Sequence, residues 1–103
     1  RYGMPVVEKS SIIVTLAAGE DGKAVVYCGN GIVDQNRVSG SDLAAQEEKV
    51  AGYVEQEFQT GAKLNVLIKA AKGIKTREVM RIAKAATRNE SVQQLYVAVT
   101  EVK

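Results

Sequence analysis

Between Leu64 and Val102 the hydrophobic pattern changes period twice, and that change narrows the fold more than any other feature. Leu64, Val66 and Ile68 alternate, which is the pattern of a strand with one apolar face. From Thr76 to about Arg88 the apolar residues Val79, Ile82, Ala83 and Ala86 instead share one stripe of a helix. Alternation returns at Leu95, Val97 and Val99, within Leu95–Val102. Strand, helix and strand in that order predict a parallel pair joined by a right-handed crossover. A parallel pair cannot close through a tight turn, so a helix must lie across one face of the sheet.

Upstream, Ser11–Ala18 is rich in β-branched residues and reads as a strand. Gly19-Glu20-Asp21-Gly22 is turn chemistry, and Ala24–Cys28 completes a hairpin. Gly29-Asn30-Gly31 marks another turn, with Ile32-Val33 beyond it as a candidate short strand and Asp34–Ser41 as a loop. Asp42–Gln59 reads as a helix with Ser41 available as its N-cap. Its stripe is Leu43, Val50, Val54 and Phe58, flanked by Ala44 and Ala51, and Thr60-Gly61 ends it. Glu47 falls inside that stripe. An unpaired carboxylate in a core is costly, so the first turns of the helix are expected to project past the core and carry Glu47 into solvent. The expected fold is α+β: one mixed sheet of four to five strands, with two helices on one face covering the apolar sides of the strands, in β-β-α-β-α-β order. Residues 1–10 form an arm or linker and residues 11–103 a single domain.

Composition removes several function classes. At 103 residues, with 46% apolar and 25% charged side chains, the chain is a one-domain globular protein rather than a disordered one. It contains no His and one Cys, which excludes imidazole catalysis, His ligation, an internal disulfide and a Cys cluster for zinc. Cys28 reads as a small core residue. Gly29-Asn30-Gly31 has Asp at position 34, so the dinucleotide-binding glycine pattern fails, and no Walker sequence occurs. The expectation is a protein with no catalytic residues, no metal and no cofactor. No apolar run reaches the length of a membrane span. The chain starts at Arg1 without an initiator Met and reads as a fragment or processed product.

Charge is less even than the net +2 suggests. Seven of the fourteen basic residues lie between positions 69 and 88, against one acid, Glu78. Arg77, Arg81, Lys84 and Arg88 fall on a stripe opposite the apolar one, preceded by Lys69, Lys72 and Lys75. Such a stripe is either a solvated helix face or a dock for an anionic partner. It lacks the interleaved aromatics that stack bases, which weakens an RNA reading. Glu47-Glu48, Glu55 and Glu57 read as a solvated acidic face. One layer of sheet also leaves open edges, and open edges recruit strands.

Along nearly its whole length the sequence resembles the periplasmic domain of the ExbD/TolR family of biopolymer-transport proteins. Met4-Pro5-Val6-Val7 resembles the segment that follows that family's single membrane helix. Ile12–Ala17 with Asp21-Gly22-Lys23-Ala24-Val25-Val26-Tyr27 resembles its first hairpin, and Ser41-Asp42-Leu43 the start of its first helix. Val66–Met80, with its Val79-Met80 pair, is the most similar stretch, and Leu95–Glu101 follows as the last strand. The resemblance implies a non-catalytic domain on the periplasmic side of the bacterial inner membrane, serving a proton-motive-force-driven complex. It implies a homodimer that works with an ExbB/TolQ-like channel protein and with a TonB-like protein or peptidoglycan, and no nucleic acid. Met4, Pro5, Val6, Val7, Lys72, Lys75, Arg77, Arg81, Lys84 and Arg88 are the candidate partner-binding residues. The competing reading is a cytosolic nucleic-acid- or protein-binding module that uses the same basic stripe.

Overall fold

The computed structural model describes residues 10–39, 42–61 and 63–100. Its elements are β1 (Ser11–Ala18), β2 (Ala24–Tyr27), α1 (Leu43–Thr60), β3 (Asn65–Ala71), α2 (Thr76–Ala86) and β4 (Gln94–Thr100). The four strands form one mixed sheet in the order β2-β1-β3-β4. β1 and β2 are antiparallel, whereas β1–β3 and β3–β4 are parallel. The fold is α+β, with one mixed sheet and two helices.

Register makes one face of the sheet apolar from edge to edge. Leu16 lies beside Val26, Ile12 beside Val66, and Val14 beside Ile68. Val66, Ile68 and Ala70 lie in turn beside Leu95, Val97 and Val99. Val50 and Val54 of α1 and Ile82, Ala83, Ala85 and Ala86 of α2 pack on the first three strands of this face. Nine of the larger side chains, from Ile12 and Leu16 to Ile82, are almost completely buried. At 1.5–3 kcal/mol for each large aliphatic group, this one layer contributes most of the favourable free energy of folding.

The helix-side face is not covered throughout. Leu95, Val97 and Val99 remain 39%, 49% and 71% exposed. Two helices span three strands, and the fourth lies beyond their reach. The expectation that helices cover every strand therefore fails at β4.

Other departures are local. Ile32-Val33 is not a strand; both residues are exposed, and β2 is flanked instead by a lone bridge between Tyr27 and Arg37. The Val38 N–H donates to the Val26 carbonyl at 2.8 Å, so the returning chain shields that edge. Asp42, not Ser41, caps α1: its Oδ1 accepts the Ala44 N–H at 3.0 Å. Ser41 lies outside the described residues, as do residues 1–9 with the Met4–Val7 arm, and residues 101–103. Leu43 is 48% exposed, so the apolar stripe of α1 begins at Val50. α2 ends at Ala86, two residues short of Arg88.

On the opposite face a loop is pinned over Thr15 and Lys69. Thr15 Oγ1 donates to the Gly29 carbonyl at 2.7 Å and accepts the Gly31 N–H at 2.9 Å. Lys69 Nζ donates to Asn30 Oδ1 at 2.9 Å. Tyr53 seals the half of β1 that β2 does not reach, its hydroxyl donating to the Ile13 carbonyl at 3.1 Å. Gly22 is required where the hairpin turn meets α2. Its φ is +75°, a Cβ there would sit 2.7 Å from Lys75 Cγ, and its carbonyl accepts the Lys75 N–H at 2.9 Å.

Candidate functional site

The basic residues of the second half divide into two groups. Arg81 is turned into the seam between the helices, and its side chain is 15% exposed. Its Nη2 donates to Glu78 Oε1 at 2.8 Å and to Gln46 Oε1 at 2.7 Å, and its Nη1 donates to Glu47 Oε2 at 3.1 Å. Glu78 is buried, and its Oε1 also accepts the Ala24 N–H at 3.1 Å. One guanidinium fork thus joins α1, α2 and, through Glu78, the first residue of β2. Planar, delocalised Arg suits such a position because it serves several acceptors at once.

Glu47, expected in solvent, is instead an ion-pair partner. Burial works against the charge on Arg81, but hydrogen bonds to Glu78 and Glu47 outweigh it and hold Arg81 above its ordinary value. The Arg81 hydrogen bond, with smaller help from the Ala24 N–H and Arg77 and against the cost of burial, holds Glu78 below the ordinary carboxylate value. A carboxyl with a depressed folded-state value stabilises the fold above its unfolded value and loses that contribution as pH falls. Stability is therefore expected to decline as pH drops below about 4.5, the unperturbed value. Urea unfolding at a series of pH values checks this, and Glu78→Gln flattens the acid limb of the curve.

Arg88 pairs with Glu48 at 2.7 Å, in solvent, where such a pair stabilises little. Glu55 accepts from Asn89. Of the acidic residues of α1, Glu47 is drawn into the seam with α2, whereas Glu48 and Glu55 remain exposed while reaching Arg88 and Asn89. Lys75, Arg77 and Lys84 stay exposed, as does Lys72. The structure thus separates Arg81 and Arg88, which join the helices, from cations that face outward. Met4, Pro5, Val6 and Val7 lie outside the described residues.

The final strand was expected from sequence; what sequence reasoning missed is that β4 lies at the edge of the sheet with its helix-side face uncovered. The strand Gln94-Leu95-Tyr96-Val97-Ala98-Val99-Thr100 holds no charge and no proline. Among the described residues it pairs with β3 on one side and is the last strand of the sheet on the other. Natural edge strands are commonly blunted by Lys, Pro or a bulge, and this one has none of them. On α2, Met80 is also exposed, at 56%. The signal was present in the uncharged composition of Leu95–Thr100, but alternation alone does not say which strand lies at an edge.

No family model, curated protein or solved structure matches this chain. Among the described residues there is no group of His, Cys, Asp and Glu placed to hold a metal ion. Among them too, no helix is long and apolar enough to cross a membrane.

Cys28 lies against Tyr53 and Lys49, half-buried. Burial, partly offset by the Lys49 charge, pushes its thiol up to about 11. Burial first, then Glu57 and Cys28, pushes the Tyr53 hydroxyl up to about 12. The thiolate is the reactive form. Against the unperturbed value of 9.0, iodoacetamide is expected to alkylate Cys28 about a hundredfold more slowly near neutral pH. Full reactivity returns on denaturation, as mass spectrometry of the labelled chain would show.

Proposed function

We propose that this is the non-catalytic coupling domain of a proton-motive-force-driven complex of the ExbD/TolR kind, on the periplasmic side of a bacterial inner membrane. In this reading, two copies pair through β4 and pass motion from an ExbB/TolQ-like channel protein to a TonB-like protein or to peptidoglycan. A membrane helix preceding the domain carries the contact with the channel. The observation that supports the reading is the edge itself: seven uncharged residues with an uncovered apolar stripe. Strand addition provides main-chain hydrogen bonds for affinity and side-chain contacts for selectivity. It also transmits force along the strand direction.

Lys72, Lys75, Arg77 and Lys84 would steer an acidic partner with salt-dependent kinetics. The competing nucleic-acid reading loses two of its cations, because Arg81 and Arg88 are held by carboxylates of α1.

The test is photocrosslinking from position 97 of the intact protein in its own cells. The expected result is a crosslink to a second copy whose yield changes when a protonophore collapses the proton gradient. A pattern indifferent to the gradient, or recovery of the protein with RNA in the cytosol, would overturn the proposal.

A further inference from the structure

A second surface lies on the far side of α1, away from α2 and from β4. The chain returning from β2, Gln35–Ser39, runs beside α1 and leaves an open cleft of about 810 Å³. That volume lies within the usual range for small-molecule sites, about 300–1,000 Å³. Ala45, Lys49, Gly52 and Gln56 succeed one another along the helix wall. At 1.5 Å per residue they make a trough about 16 Å long. Cys28, Val38 and Tyr53 give it apolar surface, and both polar groups nearest the floor are neutral at physiological pH. The Cys28 thiol is raised to about 11, and the Tyr53 hydroxyl already donates to the Ile13 carbonyl.

Two features show that the cleft is more than surface relief. Gly52 sits mid-helix and exposed, where glycine costs up to about 1 kcal/mol relative to Ala. Nothing lies within 4 Å of where its Cβ would be, so neither packing nor backbone geometry explains it. Its effect is to open the trough at its midpoint. Charge is also one-sided. Glu48 lines the cleft, but its carboxylate is taken by Arg88 at 2.7 Å. Lys49, close enough to Cys28 to act on its thiol, has no ion-pair partner among the described residues. Arg37 adds a second cation to the lining. A long apolar trough with uncompensated positive charge suits an amphiphile that has a slender chain and an anionic head.

We propose that the cleft between Gln35–Ser39 and α1 binds a long-chain carboxylate, its hydrocarbon along Val38, Gly52 and Tyr53 and its head at Lys49. Shape selects a chain over a ring system, because the trough is elongated and open. The site shares no lining residue with the β4 edge.

The test is titration of the isotope-labelled protein with dodecanoate, read by amide chemical shifts. Saturable shifts are expected at Cys28, Val38, Lys49, Gly52 and Tyr53, with none at β4. Lys49→Glu is expected to weaken binding about tenfold or more, the loss of one charge-assisted contact. Gly52→Leu fills the trough with a better helix former, so it should stay folded and lose binding. Dodecanol and dodecyltrimethylammonium should bind at least tenfold more weakly than dodecanoate. Equal binding of the neutral or cationic amphiphile, unchanged affinity in either variant, or no saturable shift at these residues would overturn the proposal. So would shifts induced equally well by a short peptide with a free carboxyl terminus.

Discussion

Replacing Arg81 with Ala is expected to destabilise the fold by about 2–3 kcal/mol. Removing one partner of a buried pair costs about 3–5 kcal/mol, and the residual exposure of this side chain reduces that figure. The loss arises from what remains behind. Glu78 would stay buried with only the Ala24 N–H as a donor, and Gln46 would keep a buried carbonyl without its guanidinium. For a chain of this size, such a loss lowers the melting temperature by roughly 10–20 °C. Arg81→Lys should recover only part of it, because one ammonium cannot serve Glu78, Glu47 and Gln46 with the geometry of a fork. The pairing of Arg81→Met with Glu78→Gln is informative. If Arg81 acts by neutralising Glu78, the two substitutions together should cost less than the sum of each alone. Urea unfolding of the four proteins gives the coupling directly.

The second large effect is on association. Each β4 stripe residue still has between 39% and 71% of its surface to bury. Six such residues from two copies offer several kcal/mol of apolar burial at 1.5–3 kcal/mol per fully buried side chain. Main-chain hydrogen bonds along the edge add about 0.5–1.5 kcal/mol each. Loss of free translation and rotation opposes them with about 4–15 kcal/mol. The balance predicts a weak dimer for the isolated domain, and a far fuller one under the proposed membrane tether, where effective concentration would reach the millimolar range. Val97→Lys places two like charges opposite each other at the centre of the pair. It is expected to weaken dimerisation by about a hundredfold or more, while half-exposed Val97 tolerates the change within the monomer to about 0.5 kcal/mol. Sedimentation equilibrium of the two proteins, alongside their urea unfolding curves, separates the two effects.

The hairpin and the strand–helix–strand unit were legible because each is local. β-Branched residues at Ser11–Ala18, alternation at Leu64, Val66 and Ile68, glycines at the first turn and a strong apolar stripe from Val79 to Ala86 all specify structure within a few residues. Strand order is not local. Leu95, Val97 and Val99 have the same pattern as Val66 and Ile68, yet one set is buried and the other is exposed. The difference is that β3 lies between two strands under a helix, whereas β4 has a neighbouring strand on one side only among the described residues.

The role of Arg81 was hidden for a related reason. The helix wheel of α2 places it away from Ile82 and Ala86, which describes the helix alone. The acidic face of α1 approaches from that side and turns a surface charge into an interhelical one. The clue was Glu47, a carboxylate inside an apolar stripe, whose partner came from another element. Ile32-Val33 shows the converse. Two β-branched residues after a turn suggest a strand, but the returning chain meets β2 through the Tyr27–Arg37 bridge and the Val38 N–H, leaving Ile32 and Val33 exposed.

Cysteine crosslinking along β4, in a Cys28→Ala background, tests most directly whether two copies join at this edge. Full overlap of two seven-residue strands in antiparallel pairing sets Val97 opposite its own mate and Leu95 opposite Val99 of the second copy. Opposed Cα atoms lie about 4.5–5.5 Å apart, within disulfide range, whereas the two copies of residue 95 would be roughly 14 Å apart. Mild oxidation should therefore give a covalent dimer from Val97→Cys and from the Leu95→Cys/Val99→Cys double variant, but not from Leu95→Cys alone. Equal crosslinking at 95 and 97, or none at 97 at concentrations where the protein is dimeric, would contradict the account.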